Sequence, residues 1–202
     1  MKKIKENAYS ILMMAIVASF IGFVVENAFK IFMNGYFDNR YMFLPFLLGY
    51  GIFEAALSVL IGTPKELFPL KARPIKIRRP WNYLVYFLIA AALVSIGELA
   101  LGFTVEKIAG FHYWDYSNIP LNFTRYTSLP TSIGFGLAIT LYMGAIYPRL
   151  MKFFEAKKSS RLFKWGALTL GALLLIDFIV SFSVMIITGK RMLLWRVVLF
   201  EK

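Results

Sequence analysis

Apolar residues along this chain come in five long, continuous runs separated by short charged segments. A bilayer core of about 30 Å needs about 20 such residues per helix, so the pattern predicts spans at 8–29, 41–62, 83–104, 129–150 and 166–188. Barrel strands would alternate apolar and polar positions instead. The fold class expected is therefore an all-α polytopic membrane protein with five transmembrane helices. The first run is too long for a signal peptide and carries Glu26 with no small-residue cleavage site behind it, so it is expected to remain as a helix.

One pattern, L-P-x-x-[LI]-G-[YF]-G, is written twice: LPFLLGYG at Leu44 to Gly51 and LPTSIGFG at Leu129 to Gly136, 85 residues apart. A second match precedes each copy. Gly22-Phe23-Val24-Val25-Glu26 closes the first run and Gly102-Phe103-Thr104-Val105-Glu106 closes the third, 80 residues apart. The two matches read as a tandem parallel repeat of two helical hairpins with one C-terminal helix added. Proline is tolerated in a first helical turn, where its missing N–H has no partner to lose, so each Leu-Pro is expected to begin a helix. The expected organisation is a first hairpin repeat at 1–62, a basic cytoplasmic linker at 63–82, and a second hairpin repeat at 83–150. A basic loop, the fifth helix and an interfacial tail fill 151–202.

Composition agrees, at 59% hydrophobic residues and a mean hydropathy of +0.65. The net charge of +12 is unevenly placed: 15 of the 23 basic residues precede span 1 or lie between spans 2 and 3 or spans 4 and 5. The positive-inside rule makes that side cytoplasmic. The protein is thus expected in the cytoplasmic membrane with its N-terminus inside and external loops at 30–40 and 105–128. Such loops also meet anionic headgroups, which makes membrane lipids the expected partners. No loop interleaves aromatic and basic residues as a nucleic-acid module does, and no nucleic-acid partner is expected.

The polar residues near the membrane carry the candidate chemistry. Glu54, Glu98 and Asp177 fall inside predicted spans, where an ionised carboxylate is expensive; protonation or a structural role is expected for Glu54 and Asp177. Glu98 and Glu106, eight residues apart, share a helix face. Each external loop supplies acids and one late arginine, Arg40 or Arg125, that could hold a carboxylate or phosphate or close a salt bridge within the protein. FHYWDY at Phe111 to Tyr116 also suits a membrane interface. There is no cysteine, a single histidine, His112, and no H-E-x-x-H, G-x-S-x-G or P-loop pattern. No metal, cofactor or ATP-hydrolysing domain is expected in this chain, and energy coupling would come from another subunit or an ion gradient.

SFIGFVVEN at Ser19 to Asn27, the Asn39-Arg40 pair, the Glu98 to Glu106 segment, WDYSNIPLN at Trp114 to Asn122 and Phe135-Gly136 together resemble the CmpB-like family of bacterial multi-pass membrane proteins, labelled putative ABC-transporter type IV. The resemblance covers residues 10–150. It implies a site drawn from Glu26, Asn39, Arg40, Glu98, Glu106, Trp114, Asp115, Tyr116, Ser117 and Asn122, to which the loop pattern adds Arg125. The chain departs from the family where a glycine usually follows the Asn-Arg pair, here Tyr41, and where Gly-Pro usually precedes the second helix, here Leu44-Pro45. A glycine usual shortly after Asn122 is also missing. The function expected is a transport-type, permease-like component binding a small molecule or lipid headgroup at an outer-facing polar site between the repeats, with other membrane subunits, an ATPase subunit or a second copy as partners. The alternatives are an intramembrane enzyme acting on a lipid or isoprenoid, with paired carboxylates as acid and base, or a scaffold for a membrane complex. The W-x-Y and Leu-Pro layout is faintly similar to carotenoid cyclase domains, yet Thr131-Ser132 and Phe46-Leu47 stand where those have acids.

Overall fold

The computed structural model describes residues 6–69, 77, 78 and 80–200. Its helices are α1 (Ala8–Asn34), α2 (Leu48–Ile61), α3 (Trp81–Ala109), α4 (Leu129–Lys157) and α5 (Arg161–Thr188). Four of them, α1, α3, α4 and α5, are long and apolar enough to cross a membrane. Their outward faces carry large apolar side chains such as Phe32, Leu162 and Ile187, at 74%, 84% and 84% exposure. Lipid, where apolar surface is at no disadvantage, is the solvent that suits such faces. The chain is a multi-pass membrane protein.

The expected span at 41–62 is corrected by the structure. α2 has nine α-helical residues, Leu48–Ala56, and then a π-helical turn, Leu57–Ile61. Together they rise only about 21 Å, short of a bilayer core. Residues before Leu48 cannot join the helix for local reasons. Arg40 and Tyr41 have φ of 49° and 64°, Pro45 disfavours helical geometry in Leu44, and the Phe43 and Leu44 amides are held by the Asp177 carboxylate at 2.9 and 3.2 Å. The first Leu-Pro thus precedes its helix, whereas the second begins α4 directly. There Ser128 and Thr131 form a reciprocal capping box and Pro130 occupies the first turn.

A second correction concerns the basic loop expected after span 4. The helix α4 continues through a π-helical turn, Tyr142–Ile146, to Lys157, and α5 starts at Arg161 behind a Ser160 cap. Lys, Arg, Glu and Leu are good helix formers, so Arg149, Lys152, Lys157, Arg161 and Lys164 ride on helix ends.

The chain divides into two compact units, residues 1–57 with 150–202 and residues 58–149. In the first unit α1 packs on α2 and α5 around Met14, Ala167, Leu174 and Met185, all buried. The tail, expected to be interfacial, forms a ribbon there: β6 (Arg196–Val198) pairs antiparallel with β1 (Tyr36–Asp38), setting Asp38 opposite Arg196. In the second unit α3 packs on α4 around Tyr86, Ala90 and Met143. The start of the linker forms a small hairpin, β2 (Gly62–Thr63) with β3 (Glu66–Leu67), that docks on α3 through Asn82 Nδ2 to the Pro64 carbonyl at 2.7 Å and the Tyr86 hydroxyl to the Gly62 carbonyl at 3.0 Å. Lys71, Arg73, Lys76 and Arg79 of the linker lie outside the described residues. A further ribbon, β4 (Asn122–Thr124) with β5 (Thr127–Ser128), leads into α4.

The second glycine of each doubled motif plays one part in both units. A Cβ on Gly51 would strike the Ala15 carbonyl and Ser19 of α1, and one on Gly136 would strike Ala91 of α3, while Gly49 and Gly134 face open space. Glycine at these two points lets the helix backbones approach closely.

Candidate functional site

In the first unit, Glu26 near the end of α1 is enclosed by partners. Its Oε2 accepts from Arg40 Nη2 at 2.8 Å and its Oε1 from the Tyr50 hydroxyl at 2.6 Å. The Tyr50 ring lies against Gly22, one turn back on α1, where any Cβ would overlap it. Asp38, fully buried, is paired with Lys30 at 2.6 Å and accepts the Arg40 amide at 2.9 Å. Asn39 is also buried: its amide nitrogen donates to the Met42 and Met192 carbonyls, and its oxygen accepts the Leu194 amide at 3.1 Å. Both ends of that side chain are taken up in holding the tail to the turn. Tyr41 keeps its left-handed backbone at the position where the family pattern carries glycine, a conformation that costs a non-glycine residue about 1–3 kcal/mol. Its ring lies under the cations of Lys30, Arg40 and Arg191, 5.6–5.9 Å from the ring centre.

The second unit holds a similar set in a more open state. Glu106, near the end of α3, accepts the Tyr126 hydroxyl at 2.6 Å on Oε2, while Oε1 lies 3.4 Å from His112 Nδ1 and 3.8 Å from Arg125 Nη1. Arg125 also contacts the His112 ring, whose Nδ1 is 2.9 Å from the Tyr126 hydroxyl. The side chains of Glu106, His112 and Arg125 are 37%, 36% and 43% exposed, so a solute can reach them. Tyr126 itself is fully buried and lies on Gly102, one turn before Glu106. Burial, reinforced by the Glu106 carboxylate, pushes its phenol up to about 12, which keeps it a donor at any physiological pH.

The other predicted residues of this unit build the walls. Trp114 Nε1 donates to the Tyr126 carbonyl at 2.9 Å and its ring meets Tyr126 edge-on. The Tyr116 amide donates to the Arg125 carbonyl at 2.7 Å, which fixes the turn that presents Arg125. Asp115 is exposed and turns back on Ser117, whose side chain and amide hold its carboxyl below the usual range. Asn122 is exposed on β4. Glu98 lies about 12 Å along α3 from Glu106, too far for both to touch one small group. Glu106, His112, Trp114, Tyr116 and Arg125 are thus brought together with Tyr126, and the exposed Asp115 carboxyl lies within the field of Arg125 and His112; Glu98 and Asn122 are peripheral.

Sequence reasoning missed Tyr50, Tyr126 and Lys30. The signal for the tyrosines was present in the matched Gly-Phe-x-Val-Glu segments. A small residue one turn before an acid leaves a seat for a ring whose hydroxyl can reach that acid.

What this arrangement can do follows from its groups: an exposed guanidinium binds an anion, a carboxylate beside it binds a cation or sets the charge balance, and the aromatic walls pack an apolar or planar group. No curated protein and no solved structure matches the chain. Membrane-crossing helices and a conjoined acid–arginine–aromatic loop accord with what the sequence resembled, and a family model matches residues 13–182, extending beyond the doubled segment through most of α5; the chain belongs to the family described as putative ABC-transporter type IV.

Proposed function

We propose that this chain is the permease-like component of a transport system in the cytoplasmic membrane, and that its ligand site is the Glu106, His112 and Arg125 cluster of the second unit. The ligand class is a small molecule or lipid headgroup carrying an anionic group for Arg125. One observation carries the reading. A carboxylate, an imidazole and a guanidinium converge on a fixed phenol while each stays over a third exposed, so the set is within reach of a solute that carries an anionic group. Trp114 frames the site by fixing Tyr126.

The N-terminus is placed in the cytoplasm on the distribution of basic residues, and the cluster outside on the further reading that α2, though short, returns the chain to the cytoplasmic side. The two hairpins are read as a parallel repeat, supported by the matching positions of Gly22 with Gly102 and Gly51 with Gly136. An ATPase subunit or another membrane protein would supply the energy. The test is thermal unfolding of the purified protein in detergent across a panel of anionic metabolites and phospholipids. Stabilisation by one class that is lost in Arg125→Ala and Glu106→Gln supports the site. Stabilisation unchanged in both variants overturns it. A lipid species that appears or vanishes in cells expressing the protein, together with no ligand-induced stabilisation, favours the intramembrane enzyme instead, with His112 between Glu106 and Tyr126 as its proton carrier.

A further inference from the structure

Glu54 sits on α2 with 5% of its surface exposed, and neither carboxyl oxygen has a hydrogen-bond partner among the described residues. The other acids of the first unit described above are held. Glu26 has Arg40 and Tyr50, Asp38 has Lys30 and a backbone amide, and Asp177 has two amides and Ser181. A buried polar group left without a partner calls for a ligand or a function.

Its surroundings follow from the helix register. Tyr50 lies on Gly22 and Gly51 on Ala15 and Ser19, so α1 and α2 run antiparallel, and Glu54, a turn beyond Gly51, is level with Ile11–Ala15. Leu12 in turn meets Gly171 of α5, which puts Leu170–Leu174 at the same level. Neither segment contains a titratable or charged side chain, and the other titratable group on α2 is Tyr50, one turn before Glu54, whose hydroxyl is given to Glu26. Beyond Tyr50, the nearest such groups on these helices are Tyr9 on α1, three residues from Leu12, and Lys164 and Asp177 on α5, seven and six residues from Gly171. An ionised carboxylate here would lack both water and a counter-charge, a state that proteins avoid by neutralising the group. A metal ion would need several converging oxygens, which the facing segments do not supply. The π-helical turn that begins at Leu57, one turn on, is a feature often found beside functional positions in helices.

We propose that Glu54 is an intramembrane proton-binding site, a carboxyl that is protonated at neutral pH and exchanges that proton with solvent. Such a group is a means by which a proton gradient can act on a membrane protein. The proposal is independent of the ligand reading of the second unit.

The test uses the full-length protein in detergent or lipid vesicles and dicyclohexylcarbodiimide, an apolar reagent that enters membranes and attacks protonated carboxyls. The carboxyl proton moves to one carbodiimide nitrogen as the oxygen bonds the central carbon. Migration of the acyl group to nitrogen then gives a stable N-acylurea with no leaving group, so the mass gain is that of one reagent molecule. Peptide mapping of the wild type at neutral pH is expected to place the adduct on Glu54. Labelling should fall as the pH is raised and be absent in Glu54→Gln, and the infrared C=O stretch of the protonated acid should shift in deuterated water. An unlabelled Glu54, labelling insensitive to pH, protection by sodium ions at constant pH, or a C=O stretch that does not shift would each overturn the proposal.

Discussion

Glu26 in the first unit and Glu106 in the second each stand one helical turn after a glycine that seats a tyrosine ring, and each accepts that tyrosine's hydroxyl at 2.6 Å. The resemblance ends at the arginine. Arg40 is 13% exposed and binds Glu26 at 2.8 Å, while Arg125 is 43% exposed and stays 3.8 Å from Glu106, leaning on His112 instead. One hairpin has closed its acid–arginine pair into the fold, and the other has left it open to solution. The same side chains therefore hold structure in one place and remain available for a ligand in the other.

The largest expected effect separates these two states directly. Arg40→Ala strands Glu26 in a largely buried place, and breaking a buried pair costs about 3–5 kcal/mol. With the pair partly exposed we expect about 3 kcal/mol, read as a lowered midpoint in denaturant unfolding in detergent. Arg125→Ala removes an exposed partner, for which the scale is about 0–1 kcal/mol. Equal losses in the two variants would break the comparison.

The next effect should be shared. Gly22→Ala and Gly102→Ala each force a methyl group into a tyrosine ring, and overpacking of this kind costs about 1–3 kcal/mol. Similar losses in both would sharpen the case for equivalent seats; a loss in only one would show that the rings are held for different reasons. Tyr50→Phe and Tyr126→Phe each remove a hydrogen bond to a carboxylate, for which the scale is about 1.5–3 kcal/mol, less here because both carboxylates are partly exposed. Glu26 keeps Arg40, so Tyr50→Phe should fall at or below the lower figure. Only Tyr126→Phe should also weaken ligand-induced stabilisation.

Much of this was legible in the sequence, and the rest failed for identifiable reasons. Continuous apolar runs located α1, α3, α4 and α5, because a membrane helix satisfies its own backbone and needs only length and apolarity. The start of α2 was not legible. Leu44-Pro45 and Leu129-Pro130 read alike, but only the second has a Ser-x-x-Thr cap before it, and the first is held out of helix by Asp177, more than 130 residues away. The pairing of Glu26 with Arg40 was among the readings of the loops. The tyrosines were not, because they come from non-equivalent places: Tyr50 corresponds to Phe135, and Tyr126 to Tyr41, in the 85-residue offset of the doubled motif. The Asn39 contacts were equally hidden, since the Met192 and Leu194 backbone they bind lies at the far end of the chain.

The smallest predicted effect tests how firmly the second hairpin holds its phenol. In the unfolded chain a tyrosine ionises near pH 10, whereas Tyr126 in the folded protein is pushed up to about 12, by burial first and by Glu106 second. The folded state thus prefers the protonated phenol. Its contribution to stability is fully present below pH 10 and is lost as the pH rises from about 10 toward 12, because there the unfolded chain releases a proton that the folded protein retains. Other tyrosines and the lysines titrate in the same range, so the useful quantity is the difference between wild type and Tyr126→Phe. That difference should be constant from pH 7 to 9 and shrink above pH 10. A difference that stays flat to pH 12 would mean that Tyr126 ionises as freely in the folded protein as in water, and the buried seat on Gly102 would have to be abandoned.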